Sequence, residues 1–245
     1  MSIVTLNNSR EKARKEPAED SATAVGTFEN LFRLAATDTT EVVFVRHAEP
    51  DYRAVEPGNG ELDPPLTERG RYQALRLAQR MESMQVDAIY TSSMRRALET
   101  AAIIAAAKDL PVIRTPELRE VAVGSRVLNN GTKDDPQKLA SEVLIRFLNN
   151  PRWDAIKGME PTRLFRHRVV QAVDAIIGQH PGQRVLLVTH AGVINAYLTM
   201  VLGIERDMFF LPEHASISVL RVMRDLYAVQ NLNDFSHLLP TFSPL

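Results

Sequence analysis

Two short apolar runs, each delivering a histidine, constrain this chain more than any other feature. Val42-Val43-Phe44-Val45 leads into Arg46-His47, and Leu186-Leu187-Val188-Thr189 leads into His190. Such runs are too short for helices and read as buried strands. Strands are expected at 41–46 and 184–189, and further ones near 86–91, 111–114 and 216–222. Between them Ala74, Leu77, Ala78 and Met81 stand at helical spacing, as do Ala97, Thr100, Ala101 and Ile104. Phe165, Val169, Ala172, Val173 and Ile176 keep the same period. Each set is one apolar stripe that must face a sheet. The alternation predicts an α/β fold with three layers, α/β/α, around a mostly parallel central sheet. Ligands bind such sheets beyond the carboxyl ends of the strands, where both histidines fall. The pattern is that of an enzyme working through histidine.

Composition narrows the function classes. At 245 residues, 44% hydrophobic, the chain can bury the core of one large domain, with or without an insert. A net charge of −1 gives no reason to expect nucleic acid or an anionic membrane as partner. No apolar run approaches the ~20 residues needed to span a bilayer. With no cysteine there is neither a disulfide nor a thiolate nucleophile or metal site.

Residues 1–40 are expected to be an N-terminal tail, partly disordered. Arg10, Lys12, Arg14 and Lys15 alternate with Glu11, Glu16, Glu19 and Asp20, so the stretch buries too little surface to offset its ordering entropy. It has no secretory core and is too acidic for a typical mitochondrial presequence, which makes the expected location cytoplasmic. Phe28, Leu31, Phe32 and Leu34 fit a short helix docked on the domain. Residues 41–245 read as that domain, with a polar, cap-like insert near 125–160 whose apolar members are Leu144, Phe147, Trp153 and Ile156.

Four elements follow in a fixed order: Arg46-His47-Ala48-Glu49, then Ser92-Ser93-Met94-Arg95-Arg96-Ala97 running on to Ala101, then Leu118-Arg119-Glu120 with Gly124, then His190-Ala191-Gly192-Val193. Softer matches are Leu66-Thr67-Glu68-Arg69-Gly70 with Gln73-Ala74, and Asn233-Asp234 with His237-Leu238. Together they resemble the histidine phosphatase superfamily, the phosphoglycerate mutase-like enzymes and many phosphomonoesterases, over roughly residues 40–238. The resemblance implies a phosphoglycerate mutase-like fold and a phosphohistidine intermediate formed without metal or other cofactor.

The roles follow from what phosphoryl transfer requires. A phosphate monoester is a dianion, and arginine grips it with a planar, permanently charged fork. Arg46 and Arg96 match the family's two clamping arginines, Arg96 being preferred over Arg95 on family spacing. His47 is the expected nucleophile, kept neutral by the same guanidinium groups. His190 matches the second histidine, which donates to the transferring phosphoryl group. Glu120 matches the acid that protonates the leaving alkoxide, with Glu117 its neighbouring competitor, and the incoming dianion favours its protonated form. His214 and Ala191 are possible pocket residues. His167, His180 and His237 read as helix surface, helix terminus and a structural strand-end hydrogen bond.

The substrate is read less sharply. Ala48 stands where the family most often has glycine, and Ser125-Arg126-Val127-Leu128 follows Gly124 with no Trp-Glu-Gly. Lys133, Arg146, Arg152 and Lys157 in the insert fit either a second anionic group or a solvated lid surface. Gly158-Met159-Glu160 and Arg168 match a family pattern read as structural. Glu56, Glu61 and Asp63 make an acidic rim that disfavours a polyanion, which ranks a phosphomonoester hydrolase above a phosphoglycerate mutase-type phosphotransferase. A silent phosphate-binding module is the third reading. The expected partner is a small phosphorylated substrate, and Met208-Phe209-Phe210-Leu211 fits either the domain interior or a homodimer contact.

Overall fold

β1 (Thr40–Arg46) is the strand from which the rest is placed. The computed structural model describes residues 38–54, 63–122, 145, 147, 149–156 and 158–239. In chain order it continues with α1 (Glu68–Arg80), β2 (Ala88–Thr91), α2 (Arg95–Lys108) and β3 (Val112–Arg114). Then come α3 (Thr162–Gln179), β4 (Arg184–Thr189), α4 (Ala191–Leu202), β5 (Ile217–Met223) and β6 (Leu226–Asp234). The sheet order is β3-β2-β4-β1-β5-β6. The first four run parallel, and β5 and β6 run antiparallel to them and to each other.

The alternation along β1 sorts the two cores. Val42 and Phe44 pack with Phe165, Val169 and Val173 of α3 and with Val193 and Tyr197 of α4. Val43 and Val45 pack with Leu77 and Met81 on the α1 side and with Ala97, Ala101 and Ile104 of α2. The expected helical stripes are thus the buried faces, two helices on each side of one sheet. β4, sandwiched between β2 and β1, is buried from Val185 to Thr189, as an interior parallel strand must be.

β6 is not foreseen in the sequence. Its residues Leu226–Asp234 are mostly exposed or half-exposed, so no strong alternation marks them. It exists because β5 turns back through Arg224, in the left-handed conformation, and offers β6 a ladder. Met208, Phe209 and Phe210 are half-buried, and the two phenylalanines pack on the α3/α4 core, while Leu211 is exposed.

Much of what was expected of the tail and the insert lies outside the described residues. That covers residues 1–37 with the Phe28–Leu34 helix, Glu56, Glu61, Gly124, Lys133, Leu144, Arg146 and Lys157. Residues 149–156, at the far end of the expected insert, are described and are tied to the body. The Phe147 and Trp153 rings stand 4.9 Å apart, and the Trp153 N–H donates to buried Asp207 at 2.6 Å. Asp207 also accepts from Thr162 Oγ1 and from Arg166 Nε at 2.9 Å, so three segments converge on one carboxylate.

Candidate active site

β1 and β4 are neighbours in register, with Arg46 opposite Thr189, so their following histidines emerge side by side. The His47 and His190 ring centroids are 5.1 Å apart, and both side chains are buried. His47 Nδ1 lies 2.8 Å from the Ala48 carbonyl, which can only accept, so Nδ1 carries the proton. Nε2 then presents its lone pair, and Arg96 Nε–H donates to it at 3.1 Å. Burial first, then the charge of Arg96, hold the His47 pKa well below the ordinary histidine value. Burial and the charges of His47, Arg96 and Arg46 do the same for His190.

The loop after His47 is locked by the segment 66–74. Glu49 N–H donates to Gln73 Oε1 at 2.9 Å, and Thr67 N–H donates to the Glu49 carbonyl at 3.0 Å. Thr67 also caps α1 by accepting from Gly70 N–H at 2.8 Å. Gly70 is obligatory there, because a Cβ would stand 2.2 Å from the Glu49 carbonyl oxygen. The softer Leu66–Ala74 motif is therefore the seat of the histidine loop. Thr100 completes it, accepting from Ala48 N–H and donating to the Arg96 carbonyl.

Of the paired candidates Arg95 and Arg96, it is Arg96 that reaches His47. Arg95 is exposed and pairs with Glu99 at 2.7 Å. Arg96 is buried and also lies 3.9 Å from Asp63, one of the acidic rim residues. Arg46 donates to the Pro212 carbonyl, while its buried Nε has no hydrogen-bond partner among the described residues. The His214 ring lies 5.5 Å from the His47 ring, tilted by 47°, and burial with the charges of Arg46, Arg69 and Arg96 pushes its pKa down to about 4. The next residue, Ala215, holds φ 59°, an unusual conformation for a residue with a Cβ, and its N–H donates to the Arg46 carbonyl. Ala191 opens α4 just after His190.

Glu120 stands at the N-terminus of α4. Its Oε2 accepts from Gly192 N–H at 3.1 Å and its Oε1 from Val121 N–H at 3.0 Å. The helix end, rich in unpaired N–H groups, is where a carboxylate is held well. Glu117 is exposed. His167 is exposed on α3, and His180 ends that helix, bonded to the Tyr90 hydroxyl at 2.9 Å. His237 lies on the short helical turn Ser236–Leu238 and is buried beside Ala215.

A buried neutral imidazole whose Nε2 lone pair faces Arg96, with a second imidazole and two guanidinium groups, can receive a phosphoryl group and neutralise its charge. Comparison with known proteins assigns the family. The profile of the histidine phosphatase superfamily (branch 1) matches residues 42–235. The chain belongs to the histidine phosphatase superfamily. Among its relatives are phosphoglycerate mutase-like protein 4 of Arabidopsis thaliana, 32% identical over 214 residues (86% of this chain, 92% of the relative). Another is phosphoserine phosphatase 1 of Hydrogenobacter thermophilus, 30% identical over 200 residues (81% and 94%). The solved structure of Bacillus stearothermophilus YhfR superposes with a TM-score of 0.68 at 27% identity, over 82% of this chain and 100% of that one.

Two further residues of the quoted motifs lie against these side chains. Ser92 is buried, and its Oγ lies 2.8 Å from His190 Nε2. Gly192 has no room for a side chain, since a Cβ would stand 2.2 Å from Glu120 Oε1. Gly192 is legible in the sequence only as a glycine inside a helix, a residue that weakens helices and so marks a close approach. Ser92 carries no such mark.

Proposed function

We propose that this protein is a phosphomonoester hydrolase that works through a phosphohistidine on His47 Nε2, with protein side chains and no metal supplying the charge at the phosphoryl group. The observation that carries the reading is the fixed tautomer of His47: Nδ1–H is tied to the Ala48 carbonyl, which leaves Nε2 as the attacking lone pair. Arg46 and Arg96 hold the phosphoryl oxygens, and His190 donates to them as charge develops. The phosphorus–oxygen ester bond breaks as the nitrogen–phosphorus bond forms. Glu120 gives a proton to the departing alkoxide and then, as a carboxylate, takes one from the water whose oxygen bonds to phosphorus as the bond from phosphorus to His47 Nε2 breaks, which releases phosphate and restores the free histidine. Family membership and the phosphatase among the relatives support this assignment.

Hydrolysis is favoured over a mutase by Asp63. Its carboxylate lies 3.9 Å from Arg96 and accepts from Arg95 N–H at 2.7 Å, so the mouth of the clamp already carries negative charge. A second anionic group on the substrate would meet it. The substrate class is accordingly a small phosphomonoester with an uncharged or cationic remainder.

The test is a panel of phosphomonoesters assayed with chelator present, beside His47→Ala, with acid-quenched samples searched for a labile phosphoryl adduct. Turnover that disappears in the variant, with the adduct mapped to His47, is the expected result. Phosphoryl exchange between the two hydroxyl positions of glycerate, faster than phosphate release, would replace the hydrolase by the mutase. Phosphate binding without turnover on any ester would leave a binding module.

A further inference from the structure

Resting on the reading of Glu120 as the leaving-group acid, we propose that Arg168 and Glu160 form a clamp that positions this carboxyl group, so that the loop 117–122 works as a rigid mount.

The loop has no strand partner, yet each carbonyl from residue 117 to 120 is held by a side chain. Arg168 Nη1 donates to the Glu117 carbonyl at 2.6 Å and to the Arg119 carbonyl at 2.8 Å. Its Nη2 donates to the Glu120 carbonyl at 3.1 Å and to Glu160 Oε2 at 2.7 Å, and its Nε donates to Glu160 Oε1 at 2.8 Å. All five guanidinium N–H groups are thereby used. The remaining carbonyl, that of Leu118, accepts from Thr189 Oγ1 at 2.8 Å, next to His190. A lysine ammonium has three donors and no planar fork, and cannot make this set.

Glu160 grips the other side of the acid. Its Oε2 accepts from Ala122 N–H at 3.1 Å, and its own N–H donates to the Ala122 carbonyl at 2.8 Å. Glu120 thus sits between two anchors that are bonded to each other. Arg168 lies 4.7 Å over the Phe165 ring, and that ring closes on Gly192, coming within 3.4 Å of where its Cβ would be. The acid, the helix terminus that receives it and the clamp are one packed unit. A carboxyl that must place its proton on a leaving oxygen loses rate when displaced by an ångström, whereas phosphate held by arginines elsewhere does not.

The clamp is tested by leaving-group dependence. Arg168→Lys, Arg168→Ala, Glu160→Gln, Glu120→Gln and the double variant Arg168→Ala/Glu120→Gln are assayed on glycerol phosphate and on p-nitrophenyl phosphate, whose leaving group needs no proton. Orthovanadate affinity is measured on each. We expect Arg168→Ala and Glu160→Gln to lose about tenfold or more in kcat on glycerol phosphate. On p-nitrophenyl phosphate and in vanadate affinity they should stay within about twofold, Arg168→Lys should fall between them and wild type, and the double variant should be no slower than Glu120→Gln alone. Equal losses on both esters, weakened vanadate binding, or additive losses in the double variant would make the pair merely structural and overturn the proposal. If Glu120→Gln itself shows no leaving-group dependence, the acid assignment falls first and the clamp with it.

Discussion

The two ends of β1 treat charge in opposite ways. At its start Glu41 lies directly across from Arg184 of β4 and Arg221 of β5, and bonds to both. Burial raises the Glu41 pKa, but its bonds to the two arginines outweigh burial and hold it below the ordinary value. At its end, five residues further along, Arg46 and Arg96 converge on two buried histidines, and burial together with the positive charge pushes protons off them. The first end completes its electrostatics within the protein, whereas the second, on the proposed function, reaches completion when an anion binds. Cross-strand pairing at one end contributes stability, and the concentrated positive charge at the other is what the proposed binding of a dianion would use, at some expense of stability.

The contrast can be broken by substitution. His47→Ala should reduce phosphomonoester turnover by at least about 10³-fold while leaving the unfolding midpoint equal or higher, read by steady-state kinetics and urea denaturation. A variant that kept activity would remove His47 from the chemistry. Glu120→Gln should lower kcat on alkyl phosphates by about 10²–10⁴-fold with vanadate affinity retained. Gly192→Ala should imitate it in weaker form, about 10–10² in kcat, because the new Cβ displaces the Glu120 carboxylate. At the other end Glu41→Gln should leave kcat within about twofold and lower stability by about 1–2 kcal/mol, measured by urea unfolding. A change in kcat there would mean that the two ends are coupled.

The smallest effect sharpens the comparison through pH. His47 and His190 have depressed pKa values in the folded protein, so between about pH 6.5 and the folded value the unfolded chain binds more protons. Stability from these groups is therefore full above about pH 6.5 and declines as pH falls below it. Glu41 contributes in the same sense but at lower pH, its stabilisation being lost below the ordinary carboxylate range. The urea midpoint should fall in two stages on acidification, and the histidine stage should shrink in His47→Ala/His190→Ala to what His214 and His237, also depressed, contribute. An acid limb of kcat/KM below pH 6.5 is expected from the neutral His47, and a limb at or above 6.5 would mean an ordinary histidine.

What was legible in the sequence was whatever obeys a local period or a compact motif. The apolar runs at 42–45 and 186–188 fold as strands, and the stripes at 74–81, 97–104 and 165–176 become buried helical faces, because burial of one face is decided by side-chain spacing along an element. The histidine-bearing strand ends are readable for the same reason, since strand direction puts them at the ligand edge. β6 escaped because an edge strand is made by its neighbour's open ladder, and its own residues need little burial.

Contacts between distant segments belong to the tertiary structure alone. The sequence prefers Arg96 over Arg95 through family spacing alone, and it is the packing of α2 against the His47 loop that buries the one and exposes the other. Ser92 beside His190 and Gly192 beneath Glu120 join residues 98 and 72 positions apart, and no local period encodes such meetings. Arg168 reads from the sequence as part of a structural family pattern with Glu160, and only the docking of α3 shows that it bonds to the carbonyls of Glu117, Arg119 and Glu120. By itself the sequence determined the layers and the edge at which chemistry occurs, because these depend on hydrophobic periodicity. The tertiary structure decided tautomer, burial and the mounting of each polar group, because a buried donor or acceptor is satisfied by whichever partner the fold brings near.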